Sequence, residues 1–233
     1  VGRTRFCTKP PEAQKIETVG NILEVSLEKI VALRPDLVLA GSMTDPKVKE
    51  KLKQLGIRVE EFPAANDFNG ICDSFLRLSC MVHKEKEAEA IVIAARDKVK
   101  VLRSGIRNQD KPAVFLQVGA DPMVTMTRGS FLNDLIEFAG GINIASDAGS
   151  RIYSREKVLA EDPDVIIISG MGSDGGQGNE NEKKIWQGYR DLKAVKNGTL
   201  YTVDSDLYCA PTPLTFVTAL ENMIRLLHSH DPA

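Results

Sequence analysis

Ser26-Leu-Glu-Lys-Ile-Val-Ala-Leu-Arg-Pro-Asp36-Leu-Val-Leu-Ala and Ser154-Arg-Glu-Lys-Val-Leu-Ala-Glu-Asp-Pro-Asp164-Val-Ile-Ile-Ile align without a gap, 128 residues apart. Self-similarity at such a spacing marks a repeated structural unit. In each copy a serine N-cap, with glutamate in the first turn, opens a short helix. The following Pro-Asp ends it, because proline removes a backbone donor and restricts the residue before it. A leucine-rich and β-branched run comes next, suited to a strand buried on both faces. Each strand then enters a polar loop, at Gly41-Ser42 and at Ser169-Gly170. Units of this kind build parallel α/β sheets.

Working outward, the first copy continues into a helix over 46–55, Gly56 as its C-cap, and a strand over 57–62. The second continues into a polar helix around 180–189 and a strand over 199–203. Between the copies, Ala88, Ile91, Val92, Ala95, Val99 and Leu102 recur at helical spacing within 84–106. At 1.5 Å per residue this helix reaches roughly 30 Å and reads as a rigid strut, not a flexible linker. The fold expected is α/β: two Rossmann-like lobes with mostly parallel central sheets, 1–83 and 108–233, joined by one long helix over 84–107. The second lobe opens with a strand, 113–118, and a helix from Phe131 before its repeat copy. The first lobe has no counterpart to that strand and helix, so it is expected to be amino-terminally trimmed.

Bulk properties narrow the function. A formal charge of −2 gives no basic field to attract nucleic acid or an anionic membrane. No run of 18 apolar residues is present to span a bilayer. Val1-Gly2-Arg3 has neither the basic nor the apolar region of a signal peptide, so any signal or anchor lies outside this sequence. The four cysteines, Cys7, Cys72, Cys80 and Cys209, lack zinc-type spacing and suggest no disulfide framework.

The order Lys9-Pro-Pro-Glu-Ala, Val19-Gly20, Leu27-Glu28-Lys-Ile-Val-Ala-Leu-Arg-Pro-Asp36-Leu-Val, Val114-Phe-Leu-Gln-Val-Gly119 and Phe131-Leu-Asn-Asp-Leu-Ile-Glu-Phe-Ala-Gly-Gly-Ile-Asn143 resembles the class III substrate-binding proteins of ABC importers. The resemblance covers essentially the whole chain and is nearest to the cobalamin-binding members. It implies an exported, periplasmic or membrane-anchored protein, monomeric and without enzymatic activity or intrinsic cofactor. Its expected partners are a membrane permease and a metal chelate: cobalamin, a ferric siderophore or haem, captured between the lobes.

Ligands of open parallel sheets sit at the carboxyl ends of the strands. The loops there offer Phe6, Tyr153 and Tyr208 as apolar contacts for a flat chelate. They also offer Arg3, Arg5, Arg128 and Arg151 for carboxylate, phosphate or propionate groups. Ser42 stands where an aromatic would otherwise help to cover a corrin. Cys7 and Cys209 fall in such loops and are candidate soft-metal ligands; Cys72 and Cys80 read as packing residues. Bare Zn²⁺ or Mn²⁺ is disfavoured, since His83, His228 and His230 lie outside these loops, the last two in an expected frayed tail. The resemblance further implies one acidic docking residue per lobe: Glu180 or Glu182 in the second lobe and, in place of the usual Glu, Asp45 in the first.

Two rival functions have their own features. Gly170-Met-Gly172-Ser-Asp-Gly175 follows a strand and outlines a dinucleotide fingerprint, which would suit a nucleotide-dependent oxidoreductase. Gly176, Gly178 and Asn179 prolong the loop, so no helix amino terminus is expected to reach a pyrophosphate. A metal chelatase on a related two-lobed fold is the other rival, and it would need a proton-accepting His or Glu beside the ligand.

Overall fold

A computed structural model describes residues 1–5, 7–21, 24–106, 111–170 and 177–228. The chain divides into two units, Val1–Ala64 and Ala65 onward. Unit 1 runs β1 (Gly2–Arg3), β2 (Glu17–Thr18), α1 (Leu27–Ala32), β3 (Val38–Gly41), α2 (Pro46–Gln54) and β4 (Val59–Phe62). Unit 2 opens with α3 (Phe68–Met81) and α4 (Glu85–Gly105), then β5 (Ala113–Ala120), β6 (Met123–Thr125), α5 (Phe131–Phe138), β7 (Ile142–Asn143), α6 (Arg155–Glu161) and β8 (Val165–Ile168). It closes with α7 (Gln177–Gln187), α8 (Lys193–Lys196), β9 (Leu200–Thr202), α9 (Ser205–Cys209) and α10 (Pro213–His228).

Both repeat helices start on the expected caps. Ser26 Oγ accepts from the Lys29 N–H and Ser154 Oγ from the Lys157 N–H. The strands behind them pair in parallel with their followers, Val38 opposite Val59 and Ile166 opposite Leu200. In unit 2 the sheet runs β6-β5-β8-β9, with β7 also paired to β5. Only β6 is antiparallel. Strand alternation sends Val114, Leu116, Val165 and Ile167 into one core and Phe115, Ile166 and Ile168 into another. Helices cover both faces, as a parallel sheet requires.

The long helix is present as 21 residues, α4, but it is not a free strut. Ala88, Val92, Ala95 and Val99 form a buried stripe, and the helix packs on α3 and α10. The division therefore falls before α3, at Ala64/Ala65, not at the expected 83/84. Residues 65–83 follow unit 2 because Phe68, Ile71 and Cys72 join its core, with Phe68 stacked on Phe216 of α10. The carboxyl-terminal tail also differs from expectation. His228 is not frayed: its ring nitrogen lies 2.8 Å from the Ala139 carbonyl oxygen. His230 lies outside the described residues. Cys72 is buried as expected for packing, whereas Cys80 is exposed.

The start of α3 is held from the side. The Phe68 N–H donates to Asp134 Oδ2 of α5 at 3.1 Å, while Asp67 caps Gly70. Burial pushes the Asp134 carboxyl up, the Phe68 N–H opposes this, and Asp67 and Glu137 add to the rise. A raised carboxyl contributes stability that is fully present below its unfolded value, about 3.9, and lost as pH rises through its folded one. Asp134→Asn keeps an acceptor for Phe68. It should therefore be at least as stable as wild type at pH 7, and the difference should vanish as pH falls toward 4 in a urea-melt series.

Unit 1 has the smaller core, with Val19, Ile30 and Leu52 its buried members. Leu52→Ala should cost about 2–5 kcal/mol. Trp186, the sole tryptophan, lies in unit 2. Hence the variant should shift the far-UV circular dichroism transition to lower denaturant while the tryptophan fluorescence transition stays in place.

Candidate ligand-binding site at the carboxyl ends of the strands

In unit 2 the carboxyl ends of β5, β8 and β9 are tied together by α7. Trp186, fully buried, donates its Nε1–H to Gln117 Oε1 of β5 at 2.7 Å. Gln117 Nε2 donates to Glu182 Oε2 at 2.8 Å, and Arg155 Nη2 donates to the same oxygen at 2.6 Å. Glu182 and Trp186 are four residues apart, so one glutamine reads a single helix face. One turn earlier, Asn179 Oδ1 accepts from the Gly170 N–H at 2.7 Å, and Glu180 Oε1 accepts from the Thr202 hydroxyl at 2.9 Å. A Cβ at residue 170 would press on Asn179 Oδ1, so any side chain there would displace this amide from the Gly170 N–H.

This interlock corrects the docking candidates. Glu182 is consumed inside the unit by Arg155 and Gln117, its side chain only 12% exposed. Glu180 remains exposed in the first turn of α7. Asp45 is exposed too and caps α2, accepting from the Lys47 N–H at 2.8 Å. The fingerprint segment lies mostly outside the described residues, at 171–176. A helix does begin just beyond it at Gln177, contrary to expectation. The Gly170 N–H, which a phosphate would need, is already taken by Asn179, and the acidic Glu180 stands in that helix's first turn.

The aromatic candidates also need correction. Tyr153 is 4% and Tyr208 1% exposed, so neither ring is offered to a ligand. Tyr153 packs against Phe115, and Lys157 covers its ring. Tyr208 donates its hydroxyl to Asn222 Oδ1 at 2.7 Å, and burial pushes that hydroxyl's pKa well up. Phe6 lies outside the described residues. The exposed apolar side chains near these strand ends are instead Met43 and Ile152 in loops and Leu214 in the first turn of α10. Ile152 is bridged to Val124, and strand alternation turns it outward, 63% exposed, where its neighbour Tyr153 turns in. That alternation was readable in Arg151-Ile-Tyr-Ser154.

Arg3 is corrected as well. Its Nη1 donates to the carbonyls of Thr4, Arg5 and Cys7, and Nη2 to that of Gln14, so the guanidinium organises its own loop. Arg128 is exposed and bound by Nε and Nη2 to Asp147 Oδ1, which raises its pKa further. Arg5, Arg151, Ser42 and Cys7 are exposed. Cys209 is part-buried with its Sγ 3.6 Å from Ser169 Oγ, and burial pushes the thiol up, away from the thiolate a soft metal needs. Among the described residues no three His, Cys, Asp or Glu side chains cluster to hold a metal ion. No helix among them is long and apolar enough to cross a membrane.

The family model described as "Periplasmic binding protein" matches residues 1–207, and the chain belongs to that family. It is 34% identical over 180 residues to a vitamin B12-binding protein of Salmonella paratyphi A, covering 75% of this chain and 66% of that one. The match thus spans just under two thirds of that relative's length. It is 28% identical over 221 residues to an uncharacterized ABC transporter substrate-binding lipoprotein of Bacillus subtilis, covering 91% of this chain and 68% of the other. Among solved structures, the periplasmic vitamin B12 binding protein of Vibrio cholerae matches with a TM-score of 0.78 and 26% identity, over 97% of this chain and 87% of that one.

Gln117→Leu should orphan the Trp186 indole N–H and one side of Glu182. Each such loss costs about 1–3 kcal/mol. The denaturant midpoint followed by tryptophan fluorescence should fall accordingly, and the native emission maximum should move because the indole loses its acceptor.

Proposed function

We propose that this protein captures a metal chelate, foremost a corrinoid, and hands it to the permease of an ABC importer without chemical change. The observation that carries this reading is the family match over residues 1–207, joined by 34% identity to a vitamin B12-binding protein. The Bacillus relative supports the importer and an extracytoplasmic location. The side chains support it too. Exposed Met43, Ile152 and Leu214 offer apolar surface, and Arg5 and Arg151 offer cationic donors at strand-end loops. Cobalamin presents a large amphipathic face, amide side groups and a phosphodiester, and that donor set fits it. Glu180 and Asp45, exposed at helix starts, present the acidic docking points.

Equilibrium dialysis against cyanocobalamin, haem, ferric siderophores, free Zn²⁺ and NADPH tests the reading. Retention of cyanocobalamin is expected, with Arg151→Ala weakening it about tenfold, the value of one lost charge-assisted contact of roughly 1.4 kcal/mol. Retention of NADPH alone, or of no chelate, would overturn it.

A further inference from the structure

We infer that Asn197 is a site of spontaneous deamidation, and that the fold confines this chemistry to one of two Asn-Gly pairs, Asn69-Gly70 and Asn197-Gly198. Glycine leaves its own backbone nitrogen unshielded, because it has no Cβ. In such a pair the glycine nitrogen, having lost its proton, bonds to the asparagine Cγ. The Cγ–Nδ2 bond breaks and ammonia leaves with a proton. Water then opens the five-membered imide at either carbonyl, giving aspartate or isoaspartate. One water enters and one ammonia departs, and nothing is oxidised or reduced. By local sequence alone the two pairs are equally open to this reaction.

Their surroundings separate them. Asn69 and Gly70 lie in the first turn of α3, where the Gly70 N–H donates to Asp67 Oδ1 at 2.6 Å. The nitrogen that would attack thus has a carboxylate on its proton, and losing that proton beside the negative charge is disfavoured. Phe68, stacked on Phe216 and bonded to Asp134, holds the same turn against rotation. Asn197 is instead the C-cap of α8, a helix of four residues. It is exposed, and among the described residues its side chain has no hydrogen-bond partner. The Gly198 N–H reaches the Val195 carbonyl at 3.3 Å, a longer bond than the 2.9 Å of its neighbours Asn197 and Thr199. Gly198 sits at φ 71°, and a Cβ there would meet nothing within 4 Å, so an imide ring has room. Helices of one turn open locally at little cost. The isoaspartyl product adds a methylene to the backbone between Ala194 and Leu200, which both pack in the core around Trp186. It also works against the Thr199 N–H bond to Ala194 and the Thr199 hydroxyl bond to the Asp164 carbonyl. This turn feeds the amino end of β9, so the inference is independent of the ligand reading at the carboxyl ends.

Peptide mapping by mass spectrometry, on the folded chain and on the urea-unfolded chain kept at the same mildly alkaline pH, tests this. In the folded chain Asn197 should convert at least about tenfold faster than Asn69, since its turn opens the more readily. In urea the two should convert at similar rates. Asp67→Ala frees the Gly70 N–H and should raise the folded-state rate at Asn69 while leaving that at Asn197 unchanged. The isolated isoaspartyl form should unfold at lower denaturant than the intact chain when followed by tryptophan fluorescence. Equal folded-state rates, faster conversion at Asn69, or an Asn197 still intact when the unfolded chain has fully converted would each overturn the inference. An isoaspartyl form as stable as the intact chain would overturn the loosening of the Trp186 core. If Asp67→Ala does not fold, the wild-type ratio still decides. None of these readouts involves ligand, so a failure to bind any chelate would leave them intact.

Discussion

The architecture depends on one demand: a central strand of a parallel sheet must be covered on both faces and paired on both edges. In unit 2, β8 meets it. β8 is four consecutive buried aliphatic residues, and it lies between β5 and β9 with helices on either face. The loops at the carboxyl ends of these strands carry the site proposed above. Unit 1 meets the same demand on one edge alone, and its small core and half-exposed Leu39 follow from that.

The second organising element is the polar interlock of Trp186, Gln117, Glu182 and Arg155. A buried glutamine in a central strand costs stability unless all its groups are paired. Here its oxygen takes the indole N–H, and its nitrogen is shared between Glu182 and the Gly119 carbonyl. The pairing fixes which face of α7 lies on the sheet, and it separates Glu182, turned inward, from Glu180, turned out. The same helix thus closes the core on one face and leaves Glu180 exposed on another.

Much of the fold was legible in the sequence. The repeat, its serine caps, the long α4 and the parallel pairing follow from local rules: capping, proline punctuation and apolar periodicity. What was less legible depended on contacts between distant residues. Nothing near Phe68 announces that α3 joins unit 2, because the decision is made by Phe216 and Asp134. At the site the errors share one cause. Residue type alone marks Tyr153, Tyr208, Arg3 and Glu182 as ligand or docking groups, whereas each satisfies an internal demand for packing or hydrogen bonds. Alternation along Arg151-Ile-Tyr would have directed attention to Ile152; no local signal reveals the partners of Glu182 or Arg3.

On the proposed function, this protein meets its ligand at the carboxyl-end loops. A hydrogen-exchange footprint with saturating cyanocobalamin tests it most directly. Exchange should slow around residues 41–45, 119–128, 150–153 and 205–214, with the opposite ends of the same strands unchanged. Slowed exchange confined to the amino ends of the strands, such as around Asp162 to Asp164, would contradict it.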